Sequence, residues 1–194
     1  MLFRSQSGQW AVGSEQSQGP LFLIGYRGTG KSTTAELLAL RLGWDWVDAD
    51  ALLEQRAGRS IRQIFETEGE AAFRDLEATL LAELCQRRRL VVATGGGVVV
   101  RPENRQHLKE GTVVWLTGDA ATLWQRLAAC HTTAERRPAL TVGGLAEIEA
   151  LLATREPWYA ECAHFTVDTV GRSPPQVAEA ILSRLRPGTE TVRH

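Results

Sequence analysis

Cysteine is scarce and poorly spaced for any special use. Cys85, Cys130 and Cys162 are the three in 194 residues, and an odd, widely separated set offers neither a disulfide framework nor a metal pattern. They read as small, reduced, partly buried residues. The four histidines, His107, His131, His164 and His194, share no spacing suited to a metal or a catalytic base. Long apolar runs are also missing: none nears the roughly 18 to 20 residues that cross a bilayer, and the N-terminus lacks a signal-type hydrophobic core. Nor does charge of one sign dominate. A net charge of −1 gives no reason to expect a polyanionic partner. Neither nucleic acid nor a membrane is therefore expected, and the protein is predicted to be cytoplasmic. Internal repeats are absent, and the length suits one compact domain able to bury a real core.

What is present is concentrated in Leu21 to Thr34, LFLIGYRGTGKSTT. Gly25, Gly30, Lys31 and Ser32 complete G-x-x-x-x-G-K-[ST], a phosphate-binding loop between a buried strand and a helix. A triphosphate needs a concave row of backbone N–H groups close to its oxygens, and glycine permits that approach. Gly25, Gly28 and Gly30 supply it. The start of the following helix adds its positive dipole end, the Lys31 ammonium reaches the outer phosphates, and the Ser32 hydroxyl is left for a magnesium ion.

Along the rest of the chain, Met1 to Pro20 is rich in Ser, Gln and Gly without a sustained period and reads as a poorly ordered or loosely docked extension. After the first helix, with Gly43 as its C-cap, Trp44 to Val47 reads as a strand ending in Asp48-Ala49-Asp50. Carboxylates at that edge of a parallel sheet sit where ligands collect. Residues 49–89 read as a helical region, broken near Gly58-Arg59-Ser60, where Ser60 can cap the next helix, and again at Thr67-Glu68-Gly69. Leu90 to Thr94 is a third strand that runs into Gly95-Gly96-Gly97. Three glycines after a core strand suit either a close backbone approach or a flexible turn. A short helix from Arg101 to Lys109 begins at Pro102, a strand covers Thr112 to Leu116, and Asp119 starts a helix to about Ala129. Residues 131–144 carry Arg136, Arg137 and Pro138 and read as a lid. Leu145 to Ala160 is helical in pattern with Pro157 interrupting it, Phe165 to Asp168 is a fifth strand, and Pro174 to Leu185 is a terminal helix before a tail at 187–194. The alternation predicts an α/β fold, a three-layer α/β/α sandwich around a five-stranded parallel sheet, with residues 21–186 as one domain. Strand order does not follow from the pattern.

A phosphate loop leaves open whether water, a protein or a small molecule accepts the phosphoryl group. The base-reading N-K-x-D of GTPases is absent, and Leu90 to Thr94 ends in Thr94 and glycines rather than an acidic Walker-B end. A small kinase remains.

Seven motifs stand in order: G-Y-R-G-T-G-K-S-T at Gly25 to Thr33, D-A-D at Asp48 to Asp50, S-I-R-Q-I-F at Ser60 to Phe65, G-E-A-A-F-R-D-L-E at Gly69 to Glu77, T-G-G-G at Thr94 to Gly97, R-P at Arg137 and Pro138, and R-x-P-x-Y at Arg155 to Tyr159. Together they resemble the shikimate kinase family over Leu21 to Leu185. The resemblance implies a P-loop kinase fold and transfer of the ATP γ-phosphoryl group to the 3-hydroxyl of shikimate. It implies that Gly28, Thr29, Gly30, Lys31, Ser32 and Thr33 cradle the nucleotide phosphates, with Ser32 and Asp48 as magnesium partners. Asp48 would orient or deprotonate the attacking hydroxyl. Lys31 and lid residue Arg137 would neutralise developing charge. Arg126 would cover the adenine face, with Arg172 in the adenine loop. Arg74 and Arg155 would bind the shikimate carboxylate, as a guanidinium fork suits that planar group. Asp50 would accept from the hydroxyls, Gly95, Gly96 and Gly97 would lie against the ring, Glu77 would hold Arg74, and Phe65 and Phe73 would supply apolar walls. A monomer is expected. The lid reads R-P-A-L where the family often has R-P-L-L, and the N-terminal extension has no counterpart in the family pattern. Two rival readings remain: a related kinase acting on gluconate, and a catalytically silent relative kept for binding. Asp50, Arg74 and the triple glycine argue against the first, and retention of Lys31, Asp48 and the arginines against the second.

Overall fold

The computed structural model describes residues 3–4, 10–11, 19–129 and 144–185. The lid with Arg137, together with Cys130, His131 and the tail, lies outside the described residues. In the N-terminal segment, β1 (Phe3–Arg4) pairs antiparallel with β2 (Trp10–Ala11).

The main sheet is formed by β3 (Leu21–Ile24), β4 (Asp45–Asp48), β5 (Leu90–Ala93), β6 (Thr112–Thr117) and β7 (Phe165–Asp168), in the order β4-β5-β3-β6-β7. Every pairing is parallel. β3, the central strand, is wholly buried because both of its faces are covered. Leu21 and Leu23 point to the side closed by α1 (Lys31–Leu42) and α7 (Pro174–Leu185), among Ala35, Leu38, Val177 and Ile181. Phe22 and Ile24 point to the other, filled from α3 (Ile61–Cys85), α4 (Pro102–Leu108) and α6 (Gly144–Cys162) by Phe73, Leu80, Leu108 and Tyr159. A smaller cluster joins Tyr26 to Leu123 and Leu127 of α5 (Ala120–Ala129) and to Ile148 of α6.

Local signals act as read. Gly43 closes α1 in the left-handed conformation. A capping box at Ser60 opens α3, with the Gln63 N–H donating to Ser60 Oγ at 3.2 Å and the Ser60 N–H to Gln63 Oε1 at 2.8 Å. α3 breaks at Gly69, whose φ of 83° and ψ of 178° are not helical. Asp119 caps α5 rather than belonging to it, accepting from the Thr122 N–H at 2.8 Å.

Two expectations need correction. Asp50 is not at a strand end: β4 stops at Asp48, whose Oδ1 accepts the Ala51 N–H at 3.1 Å and so caps α2 (Ala49–Ala57), with Asp50 in its first turn. Pro157 does not interrupt α6, which runs through it to Cys162. The proline is exposed, and burial of Tyr159 and Cys162 beyond it holds the helix together despite the lost backbone bond.

Because the strands are parallel and β4, β5 and β3 are neighbours, Asp48, the three glycines and the phosphate loop emerge side by side at one edge. β3 continues to β4 on one side of the sheet and β6 lies on its other side, which makes this edge a topological switch point.

Candidate active site

The phosphate loop is held open by its own contacts. Gly25 has a φ of 135°, and a Cβ there would fall 2.3 Å from the Leu116 carbonyl oxygen, so no other residue fits. Thr29 Oγ1 donates to the Tyr26 carbonyl at 2.9 Å. Lys31 is buried, and its Nζ donates to the carbonyls of Gly25 at 2.8 Å and Tyr26 at 2.7 Å. Those bonds fix the ammonium inside the loop, where the outer phosphates of a nucleotide would come. Ser32 Oγ donates to Asp48 Oδ2 at 2.5 Å. A hydroxyl and a carboxylate thus meet beside the N-terminus of α1, and Thr33 next to them is exposed.

Arg126 ties this loop to the end of β7. Its Nη1 donates to the Gly28 carbonyl at 3.2 Å and to Thr169 Oγ1 at 2.9 Å, and its Nη2 to the Thr169 carbonyl at 2.7 Å. The Arg172 N–H donates to that same carbonyl at 3.3 Å, so the two arginines assigned to the adenine side share one anchor. Bonds in the guanidinium plane leave its faces for stacking.

Across the sheet edge, a second set of residues converges. Arg74 and Glu77 are both buried, and Arg74 Nη1 donates to Glu77 Oε2 at 2.7 Å. Burial pulls against the Arg74 charge, but the Glu77 carboxylate, helped by Glu70, outweighs it and raises the pKa above its ordinary value. Its guanidinium also lies over the Phe73 ring, 5.1 Å from the centroid, and Phe73 packs on Phe65 at 4.9 Å. The glycines let these groups close in. A methyl group on Gly95 would lie 2.7 Å from Asp50 Oδ1 and 3.0 Å from Glu77 Oε1, and one on Gly97 would lie 2.5 Å from Arg74 Nη1. Of the two possibilities for a triple glycine after a core strand, close backbone approach is therefore the one realised. Gly96 is gripped through its carbonyl, which accepts from Arg155 Nη1 at 3.2 Å and from the Tyr159 hydroxyl at 2.5 Å. Burial raises the Tyr159 pKa, so it stays a neutral donor.

The structure thus gathers Lys31, Ser32 and Asp48 on one side and Asp50, Arg74, Gly95, Gly96, Gly97 and Arg155 on the other. Glu70, Tyr159, Thr94 and Thr169 have contacts that the sequence reading did not assign. Thr94 Oγ1 donates to the Leu23 carbonyl at 2.9 Å and so fastens the glycine turn to β3. Glu70 could have been found from its position four residues before Arg74 on a helical stretch. The thiols of Cys85 and Cys162 are buried, which pushes them up to about 12 and about 11, in keeping with an inert role.

A family model described as shikimate kinase matches residues 27–186. The chain belongs to the shikimate kinase family. Among relatives of this shikimate kinase-family chain, a shikimate kinase of Synechococcus sp. (strain CC9605) is 48% identical over 85% of this chain and 81% of its own. A solved shikimate kinase from Acinetobacter baumannii in complex with shikimate is 37% identical, with a TM-score of 0.81 over 86% of this chain and 92% of its own. A gluconokinase from Sinorhizobium meliloti 1021 shares the fold, at 19% identity and a TM-score of 0.54 over 86% of this chain and 91% of its own.

Proposed function

We propose that this chain is a shikimate kinase, transferring the γ-phosphoryl group of ATP to the 3-hydroxyl of shikimate. The observation that carries the acceptor assignment is the buried Arg74, aimed at Gly97 in the same glycine turn whose Gly95 faces Asp50, only one strand away from the phosphate loop. A cyclic acid with several hydroxyls needs a cation for its carboxylate and fixed acceptors for its hydroxyls. Arg74 and Arg155 answer the first need, and Asp50 with the glycine backbone the second.

In the reaction, the acceptor oxygen forms a bond to the γ-phosphorus as the bond to the β–γ bridging oxygen breaks, and the hydroxyl proton departs. Such a transition state is loose, so positioning and charge compensation matter more than a strong base. Loop N–H groups from Gly28 to Thr33 hold the phosphates, and Lys31 offsets charge on the transferred group and the leaving oxygen. Asp48 orients the hydroxyl and can take its proton. Arg126 and Arg172 serve the adenine side, and Arg137 acts from the lid. Ser32 and Asp48 fit a magnesium ion, since both offer hard oxygen donors beside the phosphate site and can exchange their mutual bond for coordination. A bound magnesium ion would supply phosphate charge neutralisation. We also read residues 21–186 as one kinase domain following an extension at 1–20, and the protein as a cytoplasmic monomer without a nucleic-acid or membrane partner. No helix among the described residues is long and apolar enough to cross a membrane.

The test is a coupled assay of ATP-dependent phosphorylation with shikimate and gluconate as acceptors. Turnover is expected with shikimate; turnover with gluconate alone would overturn the reading.

A further inference from the structure

A guanidinium offers carboxylates two paired edges, and Arg74 has one of them closed. A methyl group on Gly97 would stand 2.5 Å from Nη1, 2.6 Å from Nη2 and 2.9 Å from Cζ, a point on the bisector of that fork. The Gly97 α-carbon, one bond behind it, leaves no room for a carboxylate at the Nη1/Nη2 end. On its remaining side Nη1 already donates to the buried Glu77. The edge left is Nε/Nη2, and both of its nitrogens donate to Glu70 Oε1, at 3.2 and 3.0 Å.

The two carboxylates on Arg74 differ in kind. The Glu77 side chain is 8% exposed, as is that of Arg74, whereas the Glu70 side chain is 62% exposed. Removing Glu77 would strand a buried charge, but releasing Glu70 costs little, as for most exposed pairs. Glu70 is also the first residue after the non-helical Gly69, so it begins a new helical segment. A carboxylate there keeps water and the helix dipole when it leaves Arg74. Arg101 pins the backbone of the same segment, donating to the Ala71 carbonyl at 3.3 Å and pairing with Asp75 at 2.6 Å. Glu70 can therefore swing away while the helix start stays in place.

We propose that Glu70 is a built-in competitor for the acceptor's carboxylate: it occupies the one open edge of Arg74 in the empty enzyme and must be displaced when the acceptor binds. The idea rests on the acceptor assignment above. It makes Glu70 a determinant of acceptor affinity, opposite in sign to Glu77.

The test compares the full chain with E70Q, measuring shikimate KM and kcat, ATP KM, and shikimate dissociation by calorimetry. E70Q should bind shikimate about two- to fivefold more tightly, the value of an exposed ion pair, with the change in KM rather than kcat. Shikimate methyl ester, which has no carboxylate, should show no gain. Equal or weaker shikimate binding by E70Q at an unchanged melting temperature would overturn the proposal, as would an equal gain with the ester. Glu70→Ala, expected in the same direction, guards against a fault peculiar to glutamine. If the unaltered chain binds and phosphorylates shikimate while neither variant gains, competition alone falls. If the unaltered chain does not bind shikimate, the acceptor assignment falls first and takes competition with it.

Discussion

The phosphate loop takes its parts from the unbroken stretch Gly25 to Thr33, while the proposed acceptor pocket draws Asp50 from α2, Arg74 and Glu77 from α3, three glycines from the turn after β5 and Arg155 from α6. The first is a local structure, held by bonds from Thr29 and Lys31 to carbonyls a few residues away. The second exists only once the sheet has brought β4 and β5 together and three helices, α2, α3 and α6, have docked beside them. Damage to the loop should therefore appear in the chemistry, and damage to the pocket in the recognition of one substrate.

The sharpest way to break that contrast is at Lys31. Lys31→Ala should lower kcat by about 10²- to 10³-fold, as removing one preorganised charge-stabilising donor does, with the melting temperature nearly kept. A variant that lost shikimate affinity instead would erase the distinction. On the acceptor side, Arg74→Ala should raise the shikimate KM by about ten- to a hundredfold, the worth of a charged hydrogen bond, and leave the ATP KM nearly alone. Gly97→Ala should act in the same direction by about tenfold, since its methyl group lands on the Arg74 fork. Equal loss of both substrates in either variant would mean that the two halves are not separable.

The smallest effect belongs to a region outside both halves. His164 Nδ1 accepts the Val113 N–H at 3.0 Å, joining the beginnings of β6 and β7. Burial lowers its pKa below the ordinary 6.5. The folded chain thus prefers neutral imidazole, so this stability is complete above about pH 6.5 and is lost as pH falls toward the folded-state pKa. Loss of a bond worth about 1 kcal/mol should lower the melting temperature by about 2–4 °C. A His164→Asn variant, whose amide oxygen can accept the same N–H, should lack this acid step in a thermal melt.

The same contrast explains what the sequence made legible. Gly25, Lys31, Ser32, the Ser60 cap and the Gly69 break are set by neighbours in the chain, so their spacing carries the information. The pairing of Glu77 with Arg74 was also readable, being three residues apart on one helix face. Pro157 misled because its local cost is offset by Tyr159 and Cys162, which bury against strands far away in sequence. Asp50 reads along the chain as a strand-end residue, because the capping role of Asp48 depends on where β4 stops. The grip of Tyr159 on Gly96 and of Arg126 on Thr169 spans the fold, and no window along the chain contains both partners.

Asp48 spends one carboxylate oxygen on Ser32, at the head of the nucleotide helix, and the other on the Ala51 N–H, at the head of the helix that carries Asp50. It is a shared hinge pin. On the proposed reading, a shift of that side chain toward a bound nucleotide would also load the first turn of the helix that carries Asp50.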